Sequence, residues 1–129
     1  MPSVATIAII DDDEFVRDAL QTLIESVGYA TMAFSSAEEY VASERIRETA
    51  CLITDVQMAG MTGFDLHESL MRNGYSVPVI LMTGLPPEKF KARATRCAGV
   101  DLLSKPISLE HLMACLKKAI SRPIEQPAG

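Results

Sequence analysis

The sequence has few basic residues, no long apolar run and few cysteines, and each of these shortages argues against a class of protein. Basic residues are few, with 12 Lys and Arg against 17 Asp and Glu, and this net charge of -5 argues against a nucleic-acid surface on this domain, because phosphate binding needs clustered cations. No apolar run approaches the length of a membrane span and no signal peptide opens the chain. We therefore expect a cytoplasmic domain that contacts neither nucleic acid nor membrane.

Cysteine is also scarce. The three cysteines, Cys51, Cys97 and Cys115, are odd in number and lie scattered in apolar stretches. This pattern predicts free buried thiols in a reducing compartment rather than a disulfide framework or a set of metal ligands.

What is present is a regular alternation of two patterns. In 129 residues, 48% of them hydrophobic, five apolar runs alternate with five amphipathic stretches, and no repeat interrupts them. The apolar runs predict strands at 4–10, 30–34, 51–55, 78–82 and 100–103. The middle runs are apolar continuously, which is typical of strands buried on both faces of a parallel sheet. We predict one domain over residues 1–121, with 122–129 as a C-terminal tail or linker.

The amphipathic stretches predict five helices. The first has an apolar stripe that Gly28 ends, formed by Phe15, Val16, Ala19, Leu20, Leu23, Ile24 and Val27. The second begins at a capping box, either Ser35 with Glu38 or Ser36 with Glu39. The others are predicted over 63–72, 87–98 (with Gly99 after its end) and 108–121.

Strand and helix alternation indicates an α/β fold with a doubly wound five-stranded parallel sheet, the (βα)5 flavodoxin-like architecture with strand order 2-1-3-4-5. In such sheets the functional crevice lies outside the carboxyl ends of the strands, where the strand order reverses. That point falls between the first and third strands.

Polar residues follow four of the predicted strands directly. They are Asp11, Asp12 and Asp13 after the first strand, Asp55 at the end of the third, Thr83 after the fourth and Lys105 after the fifth. Two carboxylates about 4 Å apart near a protein surface repel by roughly 4 kcal/mol, which Mg²⁺ would offset. A carboxylate nucleophile, a metal, a hydroxyl and an ammonium are the groups that phosphoryl transfer requires.

At these residues the sequence resembles the receiver domains of two-component response regulators, CheY-like proteins of bacteria. The resemblance runs from about Val4 to Ser121 and includes, in the family's order, "IIDDDE", "LITDVQMAGMTGFDL", "VILMTG" and "LLSKP". It implies that Asp55 accepts a phosphoryl group from a sensor histidine kinase. It also implies that Asp12 coordinates Mg²⁺ directly and that Asp11 assists, with the Gln57 carbonyl as a further ligand. Asp13 is instead expected to begin the first helix, whose dipole favours negative charge.

The same resemblance implies that Thr83 hydrogen-bonds the phosphoryl oxygen and that Lys105 pairs with it, turned into the site by a cis peptide bond to Pro106. Leu102 stands where the family has its switch aromatic. The implied function is a phosphorylation-dependent signalling switch, with no catalysis beyond its own phosphorylation and dephosphorylation. Phosphorylation would change the face formed by helix 4, strand 5 and helix 5. The output could be transcription through a domain outside this chain, and a phosphorylation-dependent homodimer is compatible with this scheme.

Three alternatives stay open on the sequence. A small Mg²⁺-dependent phosphatase of the haloacid dehalogenase type also uses an aspartyl nucleophile, but Phe15 stands where that family has Thr or Val. A flavin-binding flavodoxin-like domain lacks support because carboxylates replace the phosphate-binding loop. A degenerate receiver that acts only by docking would not need the four polar positions intact.

Overall fold

The five strands form one sheet in the computed structural model, which describes residues 5–57, 60–85, 88–95 and 100–121. The strands are β1 (Thr6–Ile10), β2 (Ala30–Phe34), β3 (Cys51–Asp55), β4 (Val79–Thr83) and β5 (Val100–Ser104). All neighbouring pairs are parallel, and the spatial order is β2-β1-β3-β4-β5. The predicted doubly wound sheet and its strand order are therefore confirmed.

Five α-helices connect and follow these strands. They are α1 (Glu14–Ser26), α2 (Ala37–Ala42), α3 (Gly63–Arg72), α4 (Glu88–Thr95) and α5 (Leu109–Ser121), with a short 3₁₀ turn at Ile46–Glu48. The predicted limits of β2, β3 and α3 are correct, whereas β4 begins and ends one residue later than predicted. The predicted limits of α4 at Pro87 and Ala98, the cap at Gly99, and Cys97 lie outside the described residues.

Each face of the sheet has its own hydrophobic core because successive strand residues point to opposite faces. On β1, Ala8 and Ile10 face the core covered by α2 and α3, whereas Ile7 and Ile9 face the core covered by α1 and α5. β3 is buried along its whole length. Burial on both faces explains why the central strands are apolar without alternation.

The apolar stripe predicted for α1 is wrong at its edges. Leu20 and Ile24 are buried, but Phe15 is 85% exposed, Val27 is 48% exposed and Ala19 is exposed as well. The helix packs on the sheet through a narrower strip than the sequence indicates, so residues at the margin of the stripe face solvent. At the start of α5, Leu109 is also exposed, at 46%.

The two described cysteines, Cys51 and Cys115, are free thiols. Burial raises the pKa of Cys51 to about 12, so this thiol stays protonated and packs as a small apolar side chain. Within the described part of the chain, no helix combines the length and apolarity needed to span a membrane.

Candidate functional site

Polar side chains are buried at the carboxyl edge of the sheet, where the four strand ends meet. Asp11 directly follows β1, Asp55 ends β3 and Thr83 ends β4, and their exposed fractions are 1%, 8% and 1%. Lys105 directly follows β5. Buried polar groups of this kind are costly unless they are paired, which marks this edge as the candidate site.

Lys105 connects the two buried carboxylates. Its Nζ atom donates a hydrogen bond to Asp55 Oδ2 and lies 3.8 Å from Asp11 Oδ2. The backbone N–H of Lys105 donates to the Thr83 carbonyl at 2.7 Å, and the peptide bond from Lys105 to Pro106 is cis, the isomer that the resemblance implies. One ammonium group thus lies against both acids, which come from separate strands.

Both carboxylates are oriented by the backbone that follows them. Asp11 Oδ1 accepts from the N–H of Asp13, and Asp55 Oδ1 accepts from the N–H of Gln57, each at 2.9 Å. The two strand ends therefore have the same local geometry. The second oxygen of each carboxylate is the one nearer to the Lys105 ammonium group. Asp55 Oδ2 accepts a hydrogen bond from this group, whereas Asp11 Oδ2 is buried and has no hydrogen-bond partner.

The titration of two groups reflects this crowding. Burial is the main cause that raises the pKa of Asp11, and the negative charges of Asp55 and Asp12 add to it, although the Asp13 N–H and Lys105 act in the opposite direction. For Lys105, desolvation lowers the pKa, but the hydrogen bond and charge of Asp55, together with the other two acids, outweigh it and leave the pKa raised. Lys105 is therefore a firmly held cation at neutral pH.

The structure separates the three consecutive aspartates. Asp12 is exposed, and its charge acts on both Asp11 and Lys105. Asp13 is the N-cap of α1, and its side chain accepts from the N–H of Phe15 at 2.9 Å, as expected for a residue that begins the helix.

Thr83 and Leu102 differ in their relation to the site. Thr83 stands one residue beyond Met82, the β4 partner of Asp55, and its hydroxyl accepts from the N–H of Leu85 at 3.0 Å. Leu102 is paired with Leu81 in the sheet and packs against the core below α2 and α3. It is thus not part of the charged cluster.

Two residues near the site were not found from the sequence. Arg17 donates from its guanidinium to the Asp11 carbonyl at 2.7 Å, and Glu38 accepts from the N–H of Met61 at 3.2 Å. The sequence pattern predicts Glu38 only as a capping residue of α2. No local pattern shows these contacts, because they depend on how helix and loop come together in space.

Comparisons with known proteins agree with this architecture. The sequence model of the response regulator receiver domain matches residues 7–117. The chain is 32% identical over 126 residues to the transcriptional regulatory protein FixJ of Azorhizobium caulinodans, covering 98% of this chain and 60% of that protein. It is 34% identical over 118 residues to nodulation protein W of Bradyrhizobium diazoefficiens, covering 92% and 52%.

Among solved structures, a response regulator receiver domain protein from Clostridium thermocellum superimposes with a TM-score of 0.83 at 25% identity, covering 92% of this chain and 96% of that one. The chain belongs to the response regulator receiver domain family. The phosphatase and flavin-binding alternatives are set aside on this ground.

The chain spans between about half and three-fifths of the length of these curated relatives. The relatives therefore contain sequence beyond the region that they share with this chain.

Proposed function

We propose that this chain is a phosphorylation-dependent switch in which Asp55 accepts a phosphoryl group from a sensor histidine kinase. The observation that supports this proposal most directly is the ion cluster of Lys105 with the buried carboxylates of Asp55 and Asp11. In this arrangement a nucleophilic carboxylate, a cation and the Thr83 hydroxyl all belong to one sheet edge. Phosphoryl transfer depends mainly on such positioning and charge compensation.

Mg²⁺ is the cofactor that the donor set fits. We assign its protein ligands to Asp11, Asp12 and Asp55 with the backbone carbonyl of Gln57. Within the described ranges, no three or more His, Cys, Asp or Glu side chains form a group that could hold a metal ion by themselves. Mg²⁺ does not need one, since it keeps several waters and is usually held by one or two carboxylates and phosphate oxygens. The unpartnered buried oxygen of Asp11 is a ligand of the required hard type.

Bound Mg²⁺ would supply charge compensation for the acids and for the phosphoryl oxygens. In the proposed transfer, an oxygen of Asp55 attacks phosphorus as the phosphorus–nitrogen bond of the donor phosphohistidine breaks. The imidazole nitrogen leaves with the bonding electrons and takes up a proton. Lys105 then pairs with a phosphoryl oxygen instead of the Asp55 carboxylate. The Thr83 hydroxyl donates a hydrogen bond to a second phosphoryl oxygen.

The output follows from the same proposal. Thr83 and Leu102 occupy the two switch positions that the resemblance implies, and the proposed switch changes the face of α4, β5 and α5. Because the transcriptional regulatory protein FixJ extends beyond the region that it shares with this chain, we propose transcriptional control through a further domain as the output, with a phosphorylation-dependent homodimer as an intermediate step.

The proposal is tested by incubation with acetyl phosphate and Mg²⁺ followed by intact-mass measurement. The chain should gain the mass of one phosphoryl group, and Asp55→Asn should abolish that gain because it removes the nucleophilic oxygen. Asp101→Asn is the matched control, since Asp101 also faces a lysine, Lys118, at 3.5 Å but lies near the amino end of β5, away from the carboxyl edge of the sheet. Equal phosphorylation of Asp55→Asn and the unchanged chain would refute the assignment.

A further inference from the structure

The loop between β3 and α3 is closed at its base. The N–H of Gly63 donates to the carbonyl of Val56 at 3.2 Å. A Cβ atom at position 63 would lie 2.6 Å from a methyl carbon of Leu81 and 2.9 Å from the carbonyl oxygen of Asp55. Only glycine allows this approach, so both ends of the loop are held against the end of β3.

The far side of the same loop is held by a helix that is distant in sequence. Glu38, in α2, accepts a hydrogen bond through Oε2 from the N–H of Met61 at 3.2 Å. At the preceding Gly60, φ is +82° and a Cβ atom would lie 2.9 Å from the same oxygen. Gly60 is therefore required both for the backbone conformation and for the approach of the carboxylate.

Glu38 does not take part in the hydrogen bonds that stabilise the start of α2, because Ser36 and Glu39 make them. The N-cap of α2 is Ser36, whose hydroxyl accepts from the N–H of Glu39 at 3.0 Å. The Glu39 carboxylate in turn accepts from the hydroxyl of Ser35 at 2.8 Å. Of two adjacent glutamates, one thus stabilises its own helix and the other reaches the loop.

We infer that Glu38 is a positioning residue that sets the Mg²⁺ affinity of the site by holding the β3–α3 loop. This inference rests on the proposed function, in which the carbonyl of Gln57, at the start of this loop, is a metal ligand. Gln57 stands in the sequence between two such contacts, that of Val56 with Gly63 and that of Met61 with Glu38, and each contact limits the backbone conformations open to it. The backbone around the Gln57 carbonyl therefore loses less conformational entropy when Mg²⁺ binds.

The experiment measures phosphorylation by acetyl phosphate as a function of Mg²⁺ concentration. Glu38→Ala should raise the half-saturating Mg²⁺ concentration by about 2- to 10-fold, the range expected for the loss of one hydrogen bond. The rate at saturating Mg²⁺ should change less than twofold, because the reacting groups are untouched. Glu38→Gln should restore most of the affinity, since its amide oxygen accepts the same bond.

Glu39→Ala is the matched control because it removes a carboxylate from the same helix without touching the loop. It should destabilise the start of α2 while leaving the half-saturating Mg²⁺ concentration unchanged. A metal-free measurement gives an independent test. Amide hydrogen exchange at Met61 should become faster in Glu38→Ala and stay unchanged in Glu39→Ala and Glu38→Gln.

The outcomes separate the two proposals. If the unchanged chain is phosphorylated and Glu38→Ala leaves both the Mg²⁺ dependence and the Met61 exchange unaltered, the role of Glu38 is refuted and the proposed function stands. An equal loss of Mg²⁺ affinity in Glu38→Ala and Glu39→Ala would also refute it, because α2 as a whole would then be responsible. If the unchanged chain is not phosphorylated at all, the proposed function itself is wrong.

Discussion

At the scale of single residues, the site is arranged at the expense of stability. Asp11 is almost completely buried, one of its oxygens has no hydrogen-bond partner, and the charges of Asp12 and Asp55 act against its ionisation. Lys105 compensates only part of this cost, since its Nζ atom is 3.8 Å from that oxygen. A residue selected for stability alone would not carry a charge at this position.

Asp11→Asn should therefore raise the free energy of unfolding of the metal-free protein at pH 7 by about 0.5–2 kcal/mol. The pKa of Asp11 is raised in the folded state, so the unfolded chain loses this proton first as the pH rises above 3.8. Above that pH the raised pKa of Asp11 increasingly destabilises the folded state. The destabilisation is complete once the pH exceeds the pKa of Asp11 in the folded state. Urea unfolding in the presence of a chelator should show that Asp11→Asn raises the free energy of unfolding at neutral pH and no longer does so below pH 3.8.

Asp13→Asn is the control for this pH dependence. Asn is as good an N-cap as Asp, and Asp13 is exposed, so stability should change little at any pH. A gain from Asp11→Asn that persisted unchanged at low pH would show that the buried charge is not its cause.

At the scale of secondary-structure elements, α3 begins at a reciprocal capping box next to the site. The Thr62 hydroxyl accepts from the N–H of Asp65, and the Asp65 carboxylate accepts from the N–H of Thr62, each at 3.1 Å. The hydrogen bond from the Thr62 N–H is the main cause that holds the pKa of Asp65 below its usual value, and the Thr62 side chain and the charge of Arg93 act in the same direction. The box fixes where the β3–α3 loop ends and the helix starts.

Thr62→Ala should lower the free energy of unfolding by about 0.5–2 kcal/mol, because it leaves the N–H of Asp65 without its side-chain acceptor. Thr62→Ser keeps the hydroxyl and should cost clearly less. Thermal or urea unfolding measures both. An equal loss in the two variants would attribute the effect to packing of the threonine methyl group rather than to the cap.

The caps of α2 show how far such patterns can be predicted. The sequence left two pairings open, and the structure selects Ser36 as the N-cap. The Glu39 carboxylate, however, bonds the hydroxyl of Ser35 rather than completing a box with Ser36. Which of two adjacent serines caps a helix depends on the strand that precedes it, and that position is set by the whole sheet.

At the scale of the whole molecule, the proposed switch requires that phosphorylation of Asp55 changes the face of α4, β5 and α5. The Thr83 hydroxyl accepts from the N–H of Leu85. In the proposed switch this hydroxyl turns to the phosphoryl group, which would leave the Leu85 amide without its acceptor and would require the backbone after β4 to adjust. The sequence places Pro86 and Pro87 after Leu85, and both prolines lie outside the described residues. Moving a two-state equilibrium from 1:99 to 99:1 needs roughly 5.5 kcal/mol, which one leucine rotamer at position 102 would not supply.

We therefore expect coupling to run mainly through the loop after β4. With beryllofluoride and Mg²⁺ as a phosphoryl mimic, NMR shift changes should extend from Thr83 into α4. Leu102→Ala should leave most of these changes in place, whereas Thr83→Ala should confine them to the site. Loss of the distant changes in Leu102→Ala, with the mimic still bound, would identify Leu102 as the switch and refute the loop route.

The fold followed from the sequence because its signals are local and repeated. Continuous apolar runs and one helical stripe after each strand suffice to predict a parallel sheet covered on both faces. Asp11, Asp55, Thr83 and Lys105 could be predicted as neighbours because the carboxyl ends of parallel strands share one edge.

Only the tertiary structure decided which atoms meet at that edge. The contact of Glu38 with Met61 spans 23 positions, and the unpartnered oxygen of Asp11 depends on where the Lys105 ammonium group lies. The exposure of Phe15 follows from the rotation of α1 about its own axis on the sheet. The spacing of apolar residues in the sequence does not specify that rotation closely enough to place every residue at the edge of the stripe. Periodicity specifies the face of an element, whereas close packing of elements distant in sequence specifies distances and hydrogen-bond partners.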